Sequence, residues 1–184
     1  ALNLMLKVAR WNYEDCSSPD HKAHKFILIP GGIVIGKTQM GWESKHLHSI
    51  LSTRSGDRAE FVEALKDPCY IFIDLTNGSK YIRSLDDVED QSVRIGMHVA
   101  VALGLVPECP RLAKLLATNN PKLFELSDVI CEILQRHFKM HQRSVKAIII
   151  HLDEYQLYIN DVQQNQQLSW IGSRDFFKSM LGEI

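Results

Sequence analysis

The sequence predicts an α/β fold with a mainly parallel sheet in three layers, and three observations carry that reading. Short apolar runs of strand type, residues 26–30, 70–75 and 145–152, alternate with stretches of helical spacing. The first run leads directly into Gly31-Gly32-Ile33-Val34-Ile35-Gly36-Lys37-Thr38. The last runs into two adjacent carboxylates, Asp153 and Glu154. Strands separated by helices pair in parallel, because the helix is the crossover that carries the chain back to the sheet edge.

Taken in order, residues 1–25 mix Trp11 and Tyr13 with Asp15, Ser17, Ser18, Pro19 and Asp20, which reads as a short lead-in helix or strand followed by a loop. Phe26-Ile27-Leu28-Ile29-Pro30 is the first core strand. Met40, Leu47, Ile50 and Leu51 recur near helical spacing and predict a helix from Lys37 to about Ser52. Asp57-Arg58-Ala59-Glu60 resembles a capping pattern, and Phe61 and Leu65 continue one face of a short helix. Tyr70-Ile71-Phe72-Ile73-Asp74-Leu75 is a second buried strand, closed by the turn pair Asn77-Gly78, with Tyr81-Ile82 as a hairpin partner.

Val93, Met97, Ala100, Val101 and Gly104 place a helix within residues 87–104, after which Pro107 and Pro110 break the chain. Leu123, Leu126, Val129, Ile130, Ile133, Leu134 and His137 line one face of a long helix to about Met140. After the strand at 145–152 come a polar loop that includes Gln163–Gln167 and a last helix from Ser173 to Leu181. The expected organisation is a lead-in segment, 1–25, and one domain, 26–184, incomplete at its C-terminal end.

Bulk properties narrow the function. A net charge of −1 gives no global electrostatic case for nucleic acid. The basic run from Lys139 to Lys146 reads as a solvated helix end before a local nucleic-acid contact. The four cysteines are widely spaced with no C-x-x-C pair, and Cys69 and Cys131 sit in apolar patterns. Buried free thiols in a reducing, intracellular-type environment are therefore expected. No apolar run reaches the ~18–20 residues a membrane-spanning helix needs. The chain starts at Ala1 with no signal-peptide pattern, so a piece of something longer is expected.

The motifs supply the chemistry. Residues 31–38 fit G-x-x-x-x-G-K-[ST], a loop whose backbone N–H groups wrap phosphate oxygens at the start of a helix. Gly31, Gly32, Ile33, Val34, Ile35, Gly36, Lys37 and Thr38 are the expected nucleotide-binding residues. Lys37 would reach the β- and γ-phosphates, and the Thr38 hydroxyl and Asp153 would hold Mg²⁺. Glu154 would polarise the attacking water, which makes Glu154 and Lys37 the expected catalytic pair. The expected ligand is ATP or GTP with Mg²⁺, and self-association is a further expectation. Val34 stands where many such loops carry another glycine, and a branched residue tolerates positive φ poorly.

Three other residues have two readings each, and a histidine pair has one. Asp74 ends a strand and either faces the site or caps a turn. Arg94 either contacts phosphate or a neighbouring subunit, or forms a surface ion pair near Asp87, Glu89 and Asp90. His151 interrupts an apolar strand and reads as a hydrogen-bonded core histidine before a catalytic one. His46 and His48 stand i, i+2 on a helix and do not face each other.

Beyond the generic motifs, four segments in order resemble one family: Gly36-Lys37-Thr38 with Gly41-Trp42-Glu43-Ser44, Ile71 to Gly78, Ser92-Val93-Arg94-Ile95-Gly96, and Ile150-His151-Leu152-Asp153-Glu154-Tyr155-Gln156. Over about residues 25–160 the chain resembles the NTPase domains of the Crinkler effectors of oomycetes and fungi, which are similar to the trypanosome retrotransposon hot spot proteins. The resemblance implies an ASCE-class P-loop ATPase, a fused nuclease-like domain, secretion into a host cell and a target in the host nucleus. It gives Lys37, Thr38, Asp153 and Glu154 the roles already argued. His98 stands where that pattern tends to show a second arginine. Only about thirty residues follow Glu154, too few for the sensor strand, arginine finger and lid of such a fold. A non-hydrolysing nucleotide switch or an inactive decayed fragment are the alternative functions.

Overall fold

A computed structural model describes residues 2–15, 27, 36–51, 59–76, 90–106 and 121–181. The expected first strand and the loop residues Gly31, Gly32, Ile33, Val34 and Ile35 lie outside these, apart from Ile27, which is in no strand and is exposed. The Asn77-Gly78 turn, the Tyr81-Ile82 hairpin partner, Asp57, Arg58, Pro107 and Pro110 also lie outside the described residues.

The described chain is α/β, mostly helical, with a small two-stranded parallel sheet. Its elements are α1 (Leu2–Glu14), α2 (Lys37–Glu43), a 3₁₀ turn (Ser44–His46), α3 (Leu47–Leu51), α4 (Ala59–Ala64) and β1 (Cys69–Asp74). There follow α5 (Gln91–Ala102), a 3₁₀ turn (Pro121–Phe124), α6 (Leu126–His141), β2 (Ile148–Asp153), α7 (Tyr155–Gln166) and α8 (Trp170–Leu181). Two compact units divide the chain: Ala1–Tyr70 with Ser144–His151, and Ile71–Arg143 with Leu152–Ile184.

In the first unit, the apolar positions at helical spacing form the core. Met5 and Leu6 of α1 meet Leu47 and Leu51 of α3 and Phe61 and Leu65 at α4, with Tyr13, Met40, Ile50 and Ala147 packed around them. The lead-in segment therefore begins as a helix, and its aromatic Tyr13 lies against Phe61 at 5.3 Å between ring centres. Fully burying side chains such as Leu6 and Leu51 contributes about 1.5–3 kcal/mol each.

The strands keep one register: Cys69 N–H donates to the Ala147 carbonyl and Leu75 N–H to the Asp153 carbonyl. Ile71, Ile73 and Leu75 have no exposed surface and alternate with half-buried Phe72 and Asp74, the period-2 pattern of a strand. β2, expected over residues 145–152, runs from Ile148 to Asp153. Ile148 to Leu152 are only half-buried, and Asp153 is the buried residue of that strand.

In the second unit, α5 is buried from Val93 to Ala100. The Asp90 carboxylate caps it by accepting the Ser92 and Val93 N–H groups. Ser92 Oγ accepts the Leu126 N–H at 3.0 Å, which ties the start of α6 to α5. Gly96 faces the Phe124 backbone so closely that a Cβ there would strike the Phe124 carbonyl oxygen. The long helix thus starts at Leu126 rather than Leu123, which sits in the 3₁₀ turn and is 62% exposed.

The C-terminal part holds two helices where a loop and one helix were expected. Tyr158, Ile159 and Val162 give α7 a buried face, and glutamine is a good helix former, so Gln163–Gln166 continue the helix. Ser169 starts α8 by accepting the Gly172 N–H on its hydroxyl. Among the described residues, no helix is long and apolar enough to cross a membrane.

Gly96→Ala should lower the unfolding free energy by about 1–3 kcal/mol, because the new methyl meets backbone that cannot rotate away. Urea unfolding checks this; an unchanged or raised midpoint would contradict the close approach.

Candidate functional site

Gly36, Lys37 and Thr38 stand where a helix begins. Gly36 is left-handed, with φ 71° and ψ 26°, and its carbonyl accepts the Met40 N–H at 2.9 Å. A left-handed residue at this point favours glycine, since a side chain would be strained there even though the space around it is open. Lys37 and Thr38 are the first two residues of α2, and both are half-buried. Their backbone N–H groups belong to the first turn of the helix.

One turn further on, Gly41 is buried against the His151 ring, and a Cβ on Gly41 would collide with that ring. His151 Nδ1 and the Tyr70 hydroxyl lie 2.6 Å apart, so neighbouring strands share a hydrogen bond across their side chains. Lys45 stands 4.3 Å from the Tyr70 ring centre, within cation–π range. The histidine is hydrogen-bonded, as its sequence context suggested, but half-buried rather than in the core.

Asp153 and Glu154 belong to the second unit. Asp153 is 9% exposed, and its Oδ1 accepts the Glu154 N–H at 3.1 Å. Glu154 is left-handed, with φ 55° and ψ 29°, at the residue before α7. Gln142 and Gln167 share that conformation, but both close helices at their C-termini, where it is ordinary. At a helix start an extended residue is usual, so Glu154 carries backbone strain of about 1–2 kcal/mol. Strain of this kind concentrates where a side chain must be aimed.

Asp74 lies at the same end of the sheet as Asp153, and its Oδ1 accepts the Thr76 N–H at 2.8 Å. It caps the turn that follows β1. Sequence reasoning missed how Arg94 is placed. It is 5% exposed, and its guanidinium lies 3.9 Å from the Phe176 ring centre. His98 is buried as well, edge-on to Tyr158 at 5.5 Å. The regular apolar spacing of α5 hides both residues, because charge alone reads as a surface position.

Burial raises the Cys69 thiol above its ordinary pKa, and the nearby Asp67 carboxylate adds to the rise, so it is a poor nucleophile at neutral pH. Cys131 is exposed, against the expectation of a buried thiol, because it falls on the outer face of α6. Lys139, His141, Arg143 and Lys146 are exposed, as a solvated helix end requires. Among the described residues, no three His, Cys, Asp or Glu side chains gather as a metal site. Mg²⁺ needs no such cluster, since it keeps several waters and takes one or two protein oxygens besides phosphate. The Thr38 hydroxyl and Asp153 carboxylate are hard oxygen donors of the right kind.

No family model, curated protein or solved structure matches this chain.

Two experiments test the local geometry. Gly41→Ala would ordinarily favour a helix, yet here it should cost about 1–3 kcal/mol, and adding His151→Ala should recover most of that loss in a double-mutant cycle. Glu154→Gly should raise stability by up to about 1 kcal/mol by relieving the left-handed backbone, as thermal unfolding would register. Additive losses in the first case, or a destabilised protein in the second, would contradict these geometries.

Proposed function

We propose that this chain binds a nucleoside triphosphate, most simply ATP, and hydrolyses it with Mg²⁺. The fold proposed with it is a three-layer P-loop fold with a mainly parallel sheet. The observation that carries the reading is Gly36: a left-handed glycine immediately before Lys37 and Thr38 at a helix start, as a phosphate-cradling loop requires. The buried Asp153 followed by the strained Glu154 at a strand end supports the second half.

Lys37 carries the ammonium that balances β- and γ-phosphate charge. The Thr38 hydroxyl and Asp153 carboxylate hold Mg²⁺, which when bound neutralises charge on the phosphate oxygens. The Glu154 carboxylate accepts a proton from the attacking water and fixes its direction. Most of the rate then comes from position and charge rather than covalent chemistry. Gly31 to Ile35 complete the phosphate loop in this proposal. The Crinkler-type resemblance supports an effector role, with secretion into a host cell, a nuclear target and a fused nuclease-like domain.

Lys37→Ala should abolish Mg²⁺-dependent ATP binding measured by calorimetry. Glu154→Gln should keep the binding and lose at least about 100-fold in phosphate release, the scale of a removed general base. A wild-type chain that binds no nucleotide would overturn the proposal. Binding without turnover in the full-length protein would replace the hydrolase with a nucleotide-dependent switch.

A further inference from the structure

The last turns of α6 hold a histidine pair that the nucleotide chemistry does not use. His137 and His141 are i and i+4, the spacing that stacks side chains on one helix face. Their ring centres lie 4.4 Å apart, with the planes tilted by 41°. His137 is half-buried, and its Nδ1 is enclosed without a hydrogen-bond partner; His141 is exposed.

The surroundings admit a cation. Residues one turn from the pair are Ile133, Leu134, Phe138 and Met140, none of them charged. At 3.6 residues per turn, Arg136 and Lys139 fall on another side of the helix, Arg136 is bound to Glu132, and Arg143 lies beyond the helix end at His141. The carbonyl end of a helix also carries negative partial charge, which favours a cation in the last turn.

We propose that His137 and His141 form a two-imidazole chelate for a divalent transition-metal ion of the Ni²⁺ or Cu²⁺ kind. With metal–nitrogen bonds of about 2.0–2.1 Å, two imidazoles on cis positions at a right angle put their ring centres about 4.5 Å apart. The observed 4.4 Å meets that spacing without a change of helix geometry. A tetrahedral ion needs the ring centres further apart, about 5 Å with bonds of the same length. Tetragonal nitrogen and oxygen sites are those Ni²⁺ and Cu²⁺ prefer. With Nδ1 enclosed, His137 offers Nε2. Among the described residues no third His, Cys, Asp or Glu completes the set, so water fills the remaining positions.

The test is histidine modification by diethyl pyrocarbonate on the full chain, mapped residue by residue by mass spectrometry, with and without Ni²⁺. Nickel should slow modification of His137 and His141 together. His141→Ala, at an exposed position that leaves the core intact, should abolish the slowing at His137. His46→Ala, at an exposed histidine elsewhere, should leave it unchanged. Equal rates with and without nickel at both residues would overturn the chelate. So would slowing at His137 that survives His141→Ala, or slowing spread evenly over every histidine.

Discussion

In the first unit, α2 and β2 meet where the His151 ring lies against Gly41. This contact lets the helix that starts at Lys37 lie directly on the strand that ends at Asp153, with an imidazole filling the place of a missing methyl. That imidazole is in turn tied to Tyr70 on the neighbouring strand. A helix and two strands are thereby held through one side chain. Glycine in a helix ordinarily costs about 1 kcal/mol against alanine. Here the cost is offset by a packing distance that no other residue permits.

The same device recurs in the second unit, with different partners. Gly96 admits the Phe124 backbone, Ser92 holds the Leu126 N–H, and Arg94 lies on Phe176. Three residues of the segment Ser92-Val93-Arg94-Ile95-Gly96 thus have packing roles that explain their types. Arg94 is the instructive one, because a guanidinium can be buried when its face rests on an aromatic ring.

Local pattern made part of this legible. The helical spacing of Met40, Leu47, Ile50 and Leu51, all of which pack in one core, was legible, but not that the expected single helix breaks into α2 and α3 at the 3₁₀ turn Ser44–His46. The strand at residues 69–74 was recognisable within one residue, since Ile71, Ile73 and Leu75 carry a burial signal in a short run. What the sequence hid depends on partners distant along the chain. The Gly41 contact needs His151, the Arg94 stack needs Phe176, and α7 needs a buried face that polar glutamines conceal. The half-burial of Ile148 to Leu152 was equally hidden, because an apolar run does not say how many neighbours will cover it.

At the candidate site, sequence gave the residue types, while the backbone gave two facts that no spacing rule contains. Gly36 and Glu154 are both left-handed, one where glycine makes this easy and one where a side chain makes it costly. The central proposal is that Gly36, Lys37 and Thr38 cradle a triphosphate. A crystal structure of the chain with Mg²⁺ and a non-hydrolysable ATP analogue tests it most directly. The account predicts phosphate density on the Gly36, Lys37 and Thr38 backbone N–H groups, with the metal bound to Thr38 and to Asp153 through water. Phosphates held elsewhere, or crystals that take up no nucleotide, would contradict it.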